Sequence, residues 1–328
     1  MASVSSAKKK TRRKSLGYNI AEESKCIVGE SEDGLTSITK NLEMSNELIS
    51  LYGSPYMEVS RKNIKDIKSP DHFNSLLQNN DKICVGLVFR FSLRHIIPYI
   101  LIGGEWYNGD NEYGYLRKLI YSPPSPFIRY TNIRGKRYNS ENITDILFYY
   151  SDPKLISGSR IGKDFSGTPT FGQTDKTCGP DSIQTVFMYA DGFYEWYKEN
   201  IYENLKQRNI LPDSRFSYSK IRLNEYEIED LEEEVDRLLP LYPPSMRTAE
   251  SEAPLRFLTI MFIRYYSYET MPEEARNYAI VHNNSIANNA LIKKLRNNNN
   301  SNQLSMGGRS SIRTRKAKLK SNPPHKRH

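Results

Sequence analysis

His95, Asp110, Gln173 and Cys178, met in that chain order, supply between them every role that a thiol nucleophile requires. A cysteine attacks a carbonyl well only as thiolate, so it needs an imidazole to take its proton and a third group to fix that imidazole's tautomer. A side-chain amide aimed at the developing oxyanion completes the set. Cys178-Gly179-Pro180 stands directly before the clearest helical pattern in the chain, and a helix N-terminus stabilises a thiolate. The preceding Gln173-Thr174-Asp175-Lys176-Thr177 is polar, a poor setting for a core residue, and Gly179 lets another backbone approach closely. The other cysteines read differently. Cys84 sits inside the apolar run Ile83-Cys84-Val85-Gly86-Leu87-Val88-Phe89-Arg90-Phe91 and reads as an inert core thiol, while Cys26 falls in a polar N-terminal stretch.

The elements that must carry these residues follow from hydrophobic period and turn residues. The run at 83–91 and Ile96-Ile97-Pro98-Tyr99-Ile100-Leu101-Ile102 read as strands flanking His95, with Pro98 placing the start of the second strand at an edge or bulge. Gly103-Gly104 is a hairpin signal, and Glu105-Trp106-Tyr107-Asn108 returns from it. A two-residue turn pairs Ile102 with Glu105 and brings Asp110 opposite Ile97, two positions from His95, within the slack of a bulge at Pro98. Asn111 and Glu112 are alternative orienters. Residues 143–150 form a further strand, and residues 121–172 are otherwise loop-like. From Pro180 the apolar positions Ile183, Val186, Phe187, Ala190, Tyr194, Tyr197 and Ile201 describe one helix. Helices are also expected over 42–51, over the acidic stretch 224–239, over the apolar 253–268, and from Pro272-Glu273-Glu274 onward.

Composition narrows the class. The chain of 328 residues carries a formal net charge of +9. Residues 8–14 hold six basic groups and residues 309–327 hold eight, with no acid in either stretch, so the remainder is acidic, near −5. The basic character thus belongs to two appendages, 1–30 and 296–328, expected to be disordered around a body at 31–295. Such tails suit an address, packaging, or non-specific contact with nucleic acid. No apolar run long enough to span a membrane and no apolar segment after the basic N-terminus are present, so no membrane partner is expected. The three cysteines lack metal-ligand or disulfide-framework spacing. The expectation is a soluble, intracellular protein that needs no metal or organic cofactor.

The order His95, Asp110 on the returning hairpin strand, Gln173, then Cys178-Gly179 at a helix start resembles the adenain and ubiquitin-like-protein-specific cysteine proteases, including those of large DNA viruses. The resemblance covers roughly residues 80–200. It implies His95 as general base, Asp110 as its orienter, Gln173 as oxyanion donor and Cys178 as nucleophile. It further implies an α+β fold in which a central mixed sheet packs against the helix bearing the cysteine, with additional C-terminal helices. The implied substrate is a viral precursor protein or a ubiquitin-like conjugate, met in the host cytoplasm or nucleus or packaged in a virion. Where that family usually has Trp after the histidine, this chain has Ile96, and its Gln173-to-Cys178 interval is one residue shorter than usual. Two other readings remain open. A papain-like thiol hydrolase would pair Cys178 with His282, and a non-catalytic virion or nucleic-acid-associated protein would keep a protease-like core and bind phosphate through its tails.

Overall fold

A computed structural model describes residues 33–52, 58–92, 95–111, 113–120, 122–127, 130–131, 137–138, 142–156, 158–170, 178–217, 228–247, 252–286 and 288–289. Both basic tails, Cys26, Glu112 and Gln173 lie outside them; of Cys178 the backbone is described. Nearly all of these residues belong to a compact unit ending at Asn283; in the stretch Asn284–His328, residues 284–286 and 288–289 are helical.

The fold is α+β. Its strands are β1 (Glu58–Asn63), β2 (Gln78–Asn79), β3 (Lys82–Phe91), β4 (His95–Ile102), β5 (Glu105–Asn108), β6 (Arg117–Lys118), β7 (Tyr130–Thr131), β8 (Arg137–Tyr138) and β9 (Ile143–Ser151). The main sheet runs β1-β9-β3-β4-β5-β6, with β2 hairpinned onto β3. Every pairing among the described strands is antiparallel, which corrects the expected mixed sheet. Part of the reason is connectivity: β3, β4 and β5 follow one another through short turns, and such turns join antiparallel neighbours.

Helices α1 (Asp33–Tyr52), α2 (Pro70–Leu76), α3 (Cys178–Tyr189), α4 (Phe193–Tyr197), α5 (Glu203–Gln207), α6 (Ile228–Leu238) and α7 (Glu252–Glu269) complete the described unit with a helical stretch at 273–283. α3 is the one that organises the site. Its Val186 lies on β3 where Gly86 has no side chain: a Cβ there would stand 2.9 Å from Val186 Cγ1 and 3.3 Å from Tyr149 Cβ. Thr185 is seated the same way on Gly109, whose missing Cβ would stand 2.9 Å from Thr185 Cγ2 and 3.3 Å from Pro98 Cγ. The opposite face of the sheet packs Phe89 and Phe148 on Phe73 of α2, with ring centroids 6.4 and 5.9 Å apart. These rings are fully buried, and each contributes about 1.5–3 kcal/mol by leaving water.

The single helix expected from Pro180 to Ile201 is instead broken after Tyr189. Gly192 takes φ +81°, and a side chain there would collide with Ser151 at the end of β9, so the chain turns before α4 begins. A polar clamp holds this end of α3. Asp191 donates its N–H to the Leu101 carbonyl at 3.0 Å, and its Oδ2 accepts from Gly103 N–H at 2.8 Å. Arg160 stands 3.3 Å from Asp191 Oδ1 and also donates to the Tyr189 carbonyl. Burial and the Arg160 charge act oppositely on Asp191, and burial wins: its carboxyl is pushed up to about 6.

Two outcomes follow from this seating. Gly86→Val should push α3 off the sheet and lower stability by about 1–3 kcal/mol, the usual cost of overpacking, as read from urea unfolding; an unchanged midpoint would mean that α3 is not seated there. For Asp191, the folded state holds a proton up to about pH 6, whereas the unfolded chain releases it near 3.8. Its contribution to stability is therefore complete below about pH 4 and is lost as pH rises through about 6. Asp191→Asn should remove that part of the pH dependence, at most about 3 kcal/mol between pH 4 and 7, in melting curves recorded across that range. Parallel wild-type and variant curves would show that Asp191 does not titrate in this way.

Candidate active site

His95 opens β4, and Phe91 faces it across the ladder to β3. The β4–β5 register is the one that a two-residue turn dictates: Ile102 pairs with Glu105, Leu101 with Trp106, Ile100 with Tyr107 and Tyr99 with Asn108. One further backbone bond, Gly109 N–H to the Pro98 carbonyl at 2.9 Å, continues it. The expected bulge at Pro98 is absent, since the β3–β4 pairing runs unbroken from Gly86 to Phe91. The slack comes from Asn108 instead. Its Oδ1 accepts from the Asp110 N–H at 2.7 Å, so the chain leaves the ladder in a side-chain-closed turn. Residues 95–98 pair with β3 on one side, and β5 ends before it covers the other, so Pro98 does lie at a local edge.

That turn delivers Asp110 to His95. The His95 Nε2 to Asp110 Oδ1 distance is 2.9 Å, and both side chains are buried. A carboxylate can only accept, so this bond fixes a hydrogen on Nε2; in the neutral ring the lone pair then lies on Nδ1. Asn111 is buried beside Asp110, but the bond to the imidazole is made by Asp110.

The mouth of α3 lies at the same end of the sheet. Thr185 meets Pro98 and Gly109 at one point, and Asp191 meets Leu101 at another, so α3 runs parallel to β4. Seven helical residues separate Thr185 from Cys178, about 10.5 Å of rise. Three strand residues separate Pro98 from His95, about 10 Å. Strand alternation puts Pro98 and Ile100 on the α3 face and turns His95 to the other face. Asp110, one residue beyond the Gly109 that meets Thr185, holds the ring there.

The first turn of α3 is electrostatically balanced. Asp181, buried one turn in, is 2.8 Å from Arg264 of α7, which also donates to Gln184 Oε1. This cation offsets the carboxylate and leaves the positive helix end its pull on a neighbouring anion. Arg264 was discernible in sequence only as one of two cations in the apolar stretch 253–268, and Asn108 only as half of an Asn-Gly pair. The segment before Gln173 is tied beside Asp110's loop, with Leu116 N–H bonded to the Thr168 carbonyl and Thr170 N–H to the Gly114 carbonyl, both at 2.9 Å.

Cys84, Trp106, His72 and His282 have other surroundings. Cys84 is buried, its thiol lies 3.2 Å from the Gly86 carbonyl, and burial pushes its pKa far up, which suits an inert thiol. Trp106 is buried in the core, and His72 lies at the start of α2, where its ring accepts from Lys68 N–H. His282 is exposed on the helical stretch and stacks on Tyr278 at 5.9 Å, while Asn283 donates to the Gly167 carbonyl and is thereby engaged away from an orienting role. Among the described residues no group of three or more His, Cys, Asp and Glu side chains is placed to hold a metal ion, and no helix is long and apolar enough to cross a membrane.

If the Asp110 carboxylate sets the His95 tautomer, Asp110→Ala should convert a single Nε2–H form into a tautomer mixture, visible in the ring nitrogen shifts by NMR, and should cost about 1–3 kcal/mol in urea unfolding for the lost bond to a buried imidazole. Unchanged shifts would assign the tautomer to another partner. No protein-family model, curated protein or solved structure matches this chain.

Proposed function

We propose that this protein is a cysteine peptidase in which Cys178 is the nucleophile and His95 the general base. The observation that carries the reading is the buried His95–Asp110 bond, at the end of the sheet where the helix bearing Cys178 begins. An imidazole held in one tautomer and a thiol at a helix N-terminus are the two parts from which a thiolate is made. Closing the dyad requires the thiol and the ring to meet around the uncovered edge of β4.

In the proposed reaction the Cys178 thiolate attacks the scissile carbonyl carbon, and His95 takes the thiol proton and passes it to the leaving amine. Gln173 and the Cys178 backbone amide hold the oxyanion of the tetrahedral intermediate. Water, activated by the same imidazole, then releases the acyl group and regenerates the thiol. None of these steps calls on a metal or organic cofactor. The substrate class carried by the resemblance is a protein, either a viral precursor or a ubiquitin-like conjugate, met inside the host cell. The basic tails fit non-specific contact with nucleic acid.

The test is labelling of the full chain with iodoacetamide and a peptidyl vinyl sulfone, read by peptide mass spectrometry. Cys178 should take the label in preference to Cys84. His95→Ala should slow that labelling about 10²-fold or more, the scale of general-base catalysis, and Asp110→Ala by less. Labelling of Cys26 or Cys84 in place of Cys178, with His95→Ala behaving as wild type, would end the catalytic reading.

A further inference from the structure

On the face of the sheet that carries α3, the side chains of Arg61 (β1), Asp145 (β9) and Arg90 (β3) form a row across three strands. Arg61 Nε and Nη2 donate to Asp145 Oδ1 at 2.9 and 2.7 Å, and Arg90 Nη1 donates to Oδ2 at 3.1 Å. Asp145 is 1 % exposed, whereas the Arg90 and Arg61 side chains keep 16 % and 26 % of their surface. Two guanidinium groups converge on one carboxylate, and the buried acid fixes both forks in place.

The position of this row matters more than its charge. Gly86 lies under Val186, and the register from Gly86 to Arg90 is unbroken, so Arg90 points to the α3 side four residues further along. Those four residues span about 13 Å. Stepping back from Val186 to Cys178 is eight helical residues, about 12 Å. Arg90 therefore reaches the face of the sheet at the level where α3 starts. It is also one strand, about 5 Å, from the strand that begins at His95, whose cross-strand partner Phe91 is its chain neighbour.

We propose that Arg90, braced by Asp145 and Arg61, is a specificity residue that binds an acidic side chain of the substrate polypeptide within two or three residues of the scissile bond. This rests on the thiol-peptidase reading and deepens it. A partly exposed guanidinium already oriented by a buried carboxylate offers its remaining donors to a second carboxylate with little further loss of side-chain freedom. A neutral isostere such as glutamine lacks the charge that makes this hydrogen bond strong.

The experiment uses the full chain and pools of internally quenched peptides in which Glu or Gln is placed in turn at each position on both sides of the cleaved bond. Wild type should cleave with a kcat/KM about tenfold higher for Glu than for Gln at one position, the difference lying in KM and shrinking at high salt. Arg90→Gln should bring that ratio to about one, and Arg90→Lys should keep much of it. Cleavage that needs Cys178 but shows no acid preference at any position would overturn the subsite and leave the peptidase reading standing. Absence of any Cys178-dependent cleavage would overturn both. If Arg90→Gln fails to fold, as read by circular dichroism, the wild-type preference and its salt dependence decide the question without it.

Discussion

The seating of α3 on β3 and β4 is the constraint from which the rest of the site follows. Two glycines, Gly86 and Gly109, let Val186 and Thr185 reach the sheet backbone, and a helix held at two such points can neither rotate nor slide without meeting a side chain. Polar anchors then close each end. Asp191 ties the C-terminal end to Leu101 and Gly103, and Arg264 reaches across from α7 to Asp181 in the first turn. Both anchors are buried ion pairs, and burial makes their removal from one side costly. The interaction at the sheet is apolar and non-directional, whereas the anchors are directional; together they set both the distance and the axial position of the helix that begins at Cys178.

The hairpin that carries His95 and Asp110 is set by different physics. Its register is counted from a two-residue turn, so each residue of β5 is assigned a partner without reference to the core. Register alone would leave Asp110 opposite Ile97. The Asn108 side chain replaces the next ladder bond with a local one and redirects the chain by about a residue, which is what brings the carboxylate to the ring. Gly109 serves both systems at once, bonding Pro98 through its N–H and receiving Thr185 where its side chain would be. The pairing of the imidazole and the docking of α3 are therefore linked through one residue, and a change at Gly109 disturbs both.

Much of this was legible in the chain itself, for reasons that differ by residue. Strands at 83–91, 96–102 and 143–150 announce themselves by apolar runs, and the His95–Asp110 proximity follows from counting across Gly103-Gly104. What the sequence hid was any decision taken by tertiary contact. The helical period from Ile183 to Ile201 is continuous, yet the chain turns at Asp191-Gly192, where a side chain on Gly192 would meet Ser151 at the end of β9. The pairing of β1 with β9 is equally non-local, since the two strands meet across more than eighty residues. The roles of Arg264, Arg160 and Arg90 share this origin. Each is an isolated cation among apolar or mixed neighbours, and only the fold supplies the carboxylate that gives it a purpose.

The distribution of charge then separates scaffold from site. Arg160 and Arg264 are spent on carboxylates at the two ends of α3, and their side chains keep 10 % and 6 % of their surface. Arg90 and Arg61 share a single acid and remain partly open to water at the same end of the sheet as His95. A buried pair of unit charges is enclosed, whereas Arg90 and Arg61 keep part of their guanidinium surface at the edge of the solvent. In a body whose sequence is otherwise acidic, two partly exposed guanidinium groups set this end of the sheet apart. The buried acid that joins the two guanidinium groups also holds them rigid.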